Sequence, residues 1–338
     1  MEFIYLDAHR RAEWDRLVAT NPASGFMQSF AWADFKRRTG WETYKIGILE
    51  KDKLVGGCIA LKYPFSKTKN FIHIPQGPVL PYEIPKRASD FFTPLMAELD
   101  SVADLRGVSL TAHLRIEPRL AEAPDYFSRL GKAPFNIEPR DTLIMGLDQE
   151  VEKILAGMKP KGRYNVGVAE RSGIVVSVEN AQEATLEFMS IYRETVKRNQ
   201  FEGKSPAYLL ALLGHLRETG LGDLFVARAN GRMLAGAIVI FFGGQATYFF
   251  GASSDEKREV MAPYKLHFEI MCEAKRRGCR VYDFWGIAPK DAPSGHAWKG
   301  ITEFKRKFGG RELRFCGAYD FVYDKKMYQE FLRESGEV

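Results

Sequence analysis

The stretch KGITEFKRKFGGR, Lys299 to Arg311, interleaves lysines and arginines with a single acid. A basic run of this kind is ordinarily a solvated surface or an edge laid against nucleic acid. Phe304 and Phe308 interrupt it four positions apart, the spacing that puts two side chains on one side of a helical turn. With both rings anchored, one of the consecutive cations Lys305, Arg306 and Lys307 can reach inward while the others face solvent. An inward ammonium would be a compact point charge, able to approach a developing anion closely. The residues alone leave three readings open: a basic decoration, an RNA-contacting edge, or the seat of one reactive lysine.

The other chemistry-bearing residues exclude more than they assign. The six histidines never fall at metal-ligand spacing, and no Gly-x-Ser-x-Gly, Walker or Rossmann signature occurs. No metal and no cofactor is expected, and no histidine or carboxylate pair stands out as a general base. Cys58, Cys272, Cys279 and Cys316 lack Cys-x-x-Cys spacing and read as free thiols of a reducing compartment. The opening residues MEFIYLDAHRRAEWDRL lack the apolar core of a signal peptide. The longest apolar run, Met233 to Phe242, is about half of a bilayer span. A soluble cytoplasmic protein is expected. Its net charge is +6; residues 1–150 hold 20 basic and 20 acidic residues, and residues 151–338 hold 29 and 23. An anionic ligand is therefore expected on the second part.

The elements that must position these residues occur twice. Helical QSFAWADFKRR (28–38) precedes YKIGILE, a Lys-Asp turn, LVGGCIALKY and FIHIPQGPVL. Helical YLLALLGHLRE (208–218) precedes DLFVARA, an Asn230-Gly231 turn, RMLAGAIVIFF and ATYFFGASS. Asn-Gly between apolar runs is a strong hairpin signal, and Gly57 and Gly236 fall at the same offset from the two turns. A helix ended by Gly107 then precedes VSLTAHLRIEP, and a helix ended by Gly278 precedes CRVYDFWGIAP. Each half reads helix, three antiparallel strands, helix, strand. This is an α+β class: two tandem GCN5-related N-acetyltransferase-like domains, the acyl-CoA N-acyltransferase fold doubled. The expected division is 1–148 and 149–317, with segment 318–338 packing back on the first domain.

That fold raises acetyl-coenzyme A as donor, and Arg217-Glu-Thr-Gly-Leu-Gly222 fits its phosphate-loop string. A phosphate loop must leave a strand and open a helix. Here the string closes a helix and leads into DLFVARA, so a glycine C-cap is the better reading.

Landmarks in a fixed order narrow the choice. They are Gln28-Ser-Phe-Ala-Trp32-Ala-Asp-Phe-Lys36, Gly77-Pro78-Val79, Leu114-Arg115-Ile116-Glu117-Pro118 and Lys159-Pro-Lys-Gly-Arg163-Tyr-Asn. Ala262-Pro263-Tyr264, Tyr282-Asp283-Phe-Trp-Gly286-Ile287 and Phe304-Lys305 complete them. With the tandem layout, they make the chain resemble, over nearly its whole length, the Fem family of bacterial peptidyltransferases. These enzymes build peptidoglycan side chains and bridges from aminoacyl-tRNA. Glu187 to Asp223 leaves no room for a long coiled-coil insertion, so the compact FemX-type members are the nearer match.

The resemblance implies transfer of an amino acid from aminoacyl-tRNA to a stem-peptide amine of a UDP-linked muropeptide or of lipid II. It implies a monomer, with peripheral contact at the inner membrane face if the acceptor is lipid-linked. It makes Lys305 the oxyanion-stabilising lysine, with the Phe304 backbone shaping the site. Lys36 and Lys204 match phosphate-binding positions; Tyr208, four residues after Lys204, would share its helical face. Tyr264 would stack on or bond the ligand, and Glu117 takes the place of an aspartate. Lys36, Tyr208, Tyr264 and Glu117 each have a structural alternative: a solvated helix face, core packing for both tyrosines, and a salt bridge with Arg115 or another neighbour. Asp283 reads as structural. A coenzyme A-dependent N-acyltransferase acting on a sugar or peptide amine stands as the second reading. A non-enzymatic RNA-binding module is disfavoured, because no run of surface aromatics is present.

Overall fold

The computed structural model describes residues 1–104 and 110–336, so the helix stop expected at Gly107 lies outside the described residues. In chain order, β1 (Glu2–Tyr5), α1 (Arg11–Thr20) and α2 (Phe30–Arg38) precede β2 (Glu42–Glu50), β3 (Lys53–Pro64) and β4 (Asn70–Pro75). Then come α3 (Pro85–Asp104), β5 (Thr111–Glu117) and β6 (Gly131–Lys132). β7 (Asp141–Gly146), α4 (Val151–Gly157), α5 (Pro160–Arg171), β8 (Val175–Val178), α6 (Gln182–Asn199) and α7 (Pro206–Thr219) follow. A second strand run is made of β9 (Gly222–Ala229), β10 (Arg232–Phe242) and β11 (Gln245–Ser253). The chain closes with α8 (Ala262–Arg276), β12 (Val281–Gly286), α9 (Lys299–Lys305), β13 (Arg311–Arg314), β14 (Tyr319–Val322) and α10 (Lys325–Glu334).

Two seven-stranded sheets result, ordered β1-β2-β3-β4-β5-β14-β6 and β13-β7-β12-β11-β10-β9-β8. In each, three antiparallel strands lead through a helix to a strand parallel to the third. Both hairpin turns put two consecutive residues at positive φ, Lys51 and Asp52 (47° and 61°) and Asn230 and Gly231 (49° and 76°). Their twist matches that of the flanking strands, which fixes both registers. The apolar run Met233 to Phe242 is explained by β10, which lies between β9 and β11 and is covered on its faces. Among the described residues no helix is long and apolar enough to cross a membrane.

The two units comprise residues 1–140 with 315–338, and residues 141–314. The division expected at 148 and 317 is displaced because β7 pairs with β12, Met145 opposite Tyr282, and β13 pairs with β7. A strand's unit is set by its sheet partner, which lies about 140 residues away here.

In the first unit β14 inserts between β5 and β6, Asp320 opposite Arg115. The Arg115 guanidinium, 0% exposed, donates to both Asp320 oxygens at 2.8 and 2.7 Å, and the Tyr328 hydroxyl of α10 donates to one of them at 2.7 Å. Phe135 and Phe331 cover the guanidinium. Removing one member of a buried ion pair strands the other charge. Asp320→Ala should therefore lose about 3–5 kcal/mol of unfolding free energy in denaturant titration, whereas Glu330→Ala, at the more exposed Lys69 pair, should lose far less.

Candidate functional site

Within the second unit, β11 and β12 run parallel through only three register pairs: Gln245–Val281, Ala246–Tyr282 and Thr247–Asp283. Beyond them β11 continues to Ser253 against β10, while β12 follows β7. The strands part and leave a gap. In the first unit, β4 and β5 stay paired to their ends, with Pro75 opposite Glu117.

The far side of that gap is shaped by Trp285, a non-glycine residue at φ 63°. A left-handed conformation costs on the order of 1–3 kcal/mol and persists only where its surroundings impose it. Buried Asp283 supplies the constraint, accepting from the Trp285 N–H at 2.8 Å, the Thr142 hydroxyl at 2.5 Å and the Gln245 amide at 3.2 Å. The strand register breaks between Asp283 and Gly286. Consecutive carbonyls of a regular strand point opposite ways; after this break, those of Trp285 and Gly286 both face one ammonium. Lys305 Nζ donates to them at 3.5 and 2.6 Å.

The stretch around Lys305 is built to turn this lysine inward. The Ala288 N–H donates to Thr302 Oγ1 at 2.7 Å and so ties α9 to the end of β12. Phe304 and Phe308 pack together, ring centres 5.2 Å apart, against Tyr264 and His267. Gly309 and Gly310, at φ 83° and 79°, then turn the chain into β13; a β-carbon on them would lie 2.6 Å from Gly157 O and 2.3 Å from Ile144 O. Only glycine fits both the conformation and the space.

Burial pushes the Lys305 ammonium down to about 7, with Asp283 pulling the other way. His267, fully enclosed and beside Lys305, is pushed down to about 3 and bonds the Tyr282 hydroxyl at 2.8 Å. It is therefore a neutral wall of the site at physiological pH.

Tyr248, which sequence reasoning did not single out, shares this space. Its ring centre lies 5.6 Å from Lys305 Nζ and 4.4 Å from the His267 ring. A bulge explains its orientation: Val239 pairs with Tyr248 and Ile238 with Phe250, leaving Phe249 extra. Tyr248 and Gly251 thereby come together; a β-carbon on Gly251 would lie 1.6 Å from the Tyr248 hydroxyl. Burial pushes this phenol's pKa up, so it stays protonated. Among the described residues its hydroxyl has no hydrogen-bond partner. The only sequence signal was an aromatic and a glycine three apart in a strand, whose proximity depends on the bulge.

The other expected residues are placed as follows. Tyr264 is buried in the aromatic cluster and its hydroxyl accepts from Lys307 Nζ at 3.1 Å. Arg306 is engaged by Glu312 and Glu303 at 2.6 and 2.9 Å, instead of standing free for phosphate. Lys204 is exposed but precedes the helix it was expected to start: Ser205 caps α7 and Pro206 opens it. Its ammonium still reaches 5.9 Å from the Tyr208 ring centre, across the cap and not along a helical face. Lys36 lies in the last turn of α2 with its ammonium 4.1 Å from the Trp41 ring centre and 5.2 Å from that of Trp32. Glu117 is buried, and its two oxygens accept the backbone N–H groups of Ile137 and Glu138 at 2.7 and 2.8 Å. It does not pair with Arg115, which belongs to Asp320; its place is that of a loop clamp. Among the described residues no cluster of His, Cys, Asp and Glu could hold a metal.

A doubled acyltransferase fold with one parted strand pair and a buried lysine at its mouth defines the class. Solved structures of the same fold include FemX, with a TM-score of 0.83 at 19% identity over 98% of this chain and 99% of that one. A tandem GNAT protein from the clavulanic acid biosynthesis pathway aligns with a TM-score of 0.57 at 12% identity over 95% and 98%. The FemAB family matches at residues 10–110, 130–219 and 223–331, and the chain belongs to that family. Its relatives include the lipid II:glycine glycyltransferases of Staphylococcus haemolyticus and Staphylococcus aureus, each 22% identical over 94% of this chain and 92% of the relative.

A lysine whose folded pKa is depressed makes the unfolded chain the better proton binder between the two pKa values, so its contribution to stability rises with pH across that window. From about 7 up to the ordinary lysine value near 10.4, the handicap of burying Lys305 is progressively relieved. Lys305→Met should melt above the wild type at pH 7, and the gap should close by pH 10 in calorimetry.

Proposed function

We propose that this protein transfers an aminoacyl group from aminoacyl-tRNA to a stem-peptide amine of a peptidoglycan precursor, either UDP-linked or lipid II. The observation that carries the reading is the Lys305 ammonium, buried at the parted strands and held by the Gly286 carbonyl, with the Tyr248 ring centre 5.6 Å away. Family membership and the lipid II acceptors named for the relatives support it.

The donor ester is already activated. The acceptor amine attacks its carbonyl carbon, a C–N bond forms, and a tetrahedral oxyanion develops. The C–O bond then breaks, the ribose oxygen takes up a proton, and the amine gives one up. Lys305 meets the oxyanion as a cation whose other N–H groups are fixed by the Trp285 and Gly286 carbonyls, and Tyr248 donates a second hydrogen bond. Both donors are in place before the charge develops, which is where such groups lower the barrier. Lys204, with Tyr208 near it, supplies a cation for the acceptor's phosphates.

Coenzyme A is the weaker donor. The string Arg217 to Gly222 closes α7, with Gly220 left-handed at the cap, and a β-carbon on Gly222 would lie 2.3 Å from Val239 O. No helix opens there to receive a pyrophosphate.

Incubation with UDP-linked muropeptide or lipid II and a mixture of charged tRNAs, read by mass analysis, should show one added amino acid. A product that requires acetyl-coenzyme A instead would overturn the reading. Lys305→Ala should lower kcat by roughly a hundredfold or more, with acceptor KM nearly unchanged. Tyr248→Phe should lower kcat by a smaller factor in the same pattern. Lys204→Ala should raise acceptor KM and leave donor KM unchanged; an equal effect on both substrates would remove Lys204 from the acceptor role.

A further inference from the structure

We infer that the opening turn of α5 is the face on which RNA docks; this rests on the aminoacyl-tRNA reading. Lys159, Lys161, Arg163 and Tyr164 are all exposed there, and Tyr164 is 66% exposed. Among the described residues neither the Lys159 nor the Lys161 ammonium meets a carboxylate, and the Tyr164 ring touches no other ring. Arg163 folds back on the Ala156 and Met158 carbonyls that end α4 and fixes the corner. Cations at a helix start oppose the macrodipole, and no acid stands in the first turn of α5 to offset them. Helix stability therefore does not explain their presence.

The turn is joined directly to the reactive stretch. Lys159 N–H donates to the Lys307 carbonyl at 3.0 Å, two residues after Lys305. Gly162 permits the approach, since a β-carbon there would lie 2.3 Å from that same carbonyl. Lys161 and Tyr164, three apart, share a helical face. An ammonium beside an exposed ring is the pairing that takes a phosphate and stacks a base. An anionic bilayer would require a continuous apolar face beside the cations, and Tyr164 is the only large hydrophobic exposed on α5 among the described residues.

The test is fluorescence anisotropy of the full chain with uncharged tRNA over a salt series. The double variant Lys159→Glu with Lys161→Glu should weaken binding at least tenfold at low salt. It should also flatten the slope of log affinity against log salt by roughly 1.5–2 units, the loss of two phosphate contacts. Tyr164→Ala should weaken binding about five- to tenfold. Arg171→Glu, at the far end of the same helix, should leave tRNA binding unchanged, and the double lysine variant should keep the wild-type Tm or exceed it. Wild-type affinity in the double variant overturns the proposal, and so does binding of phosphatidylglycerol vesicles in place of tRNA. Turnover with a minimal aminoacyl-adenosine donor separates the two readings. The variants should use it as the wild type does. If the wild type cannot use any aminoacyl ester while tRNA binding follows the variants, the transfer reading fails and the docking face stands.

Discussion

The second unit is organised around one buried ammonium. A lysine enclosed by aromatic rings is unstable as a cation unless dipoles replace its water. Two successive carbonyls, those of Trp285 and Gly286, do so for Lys305. They can face the same point only because Trp285 is left-handed, and it is held so by the hydrogen bonds to Asp283. The Thr302 bond, the paired phenylalanines and the two glycines then aim α9 at that point. Each of these features is locally unfavourable or restrictive, and each is explained by the position of one charge.

The duplication was legible because its signals are short-range. A Lys-Asp or Asn-Gly turn, basic residues before Gly278, and glycines that end a helix act within a few residues of themselves. The α7 cap was missed although its signal is equally local: Ser205-Pro206 is a cap followed by a first-turn proline, and it places Lys204 outside the helix whose face it was expected to share. What sequence could not supply depends on partners far along the chain. Strand β7 belongs to the second sheet because of β12, Glu117 answers to two N–H groups twenty residues on, and Arg115 to an aspartate 205 residues away. Tyr248 was hidden for another reason. Regular alternation puts positions three apart on opposite faces, and a single bulged residue reverses that.

The halves share a fold without sharing the reasons for their residues. Gly57 and Gly236 occupy the same offset, yet Gly57 adopts φ 140° against the Ile46 carbonyl while Gly236 makes room for the Phe188 ring. The parallel strands stay together to their ends in one half and part after three pairs in the other. A pattern match between repeats therefore locates equivalent positions and does not transfer their roles.

The placement of β14 inside the first sheet sets an order on biosynthesis. Residues 141–314 form a contiguous unit that can close as soon as they have left the ribosome. The first unit emerges earlier but holds a gap between β5 and β6, and its buried arginine has no counter-ion until residue 320 arrives. Contacts of such separation form late. The nascent chain thus carries its oldest segment incomplete through most of translation, with sheet edges available to chaperones or to other chains. Premature release between the end of β13 and β14 would leave a complete second unit attached to a first unit unable to finish.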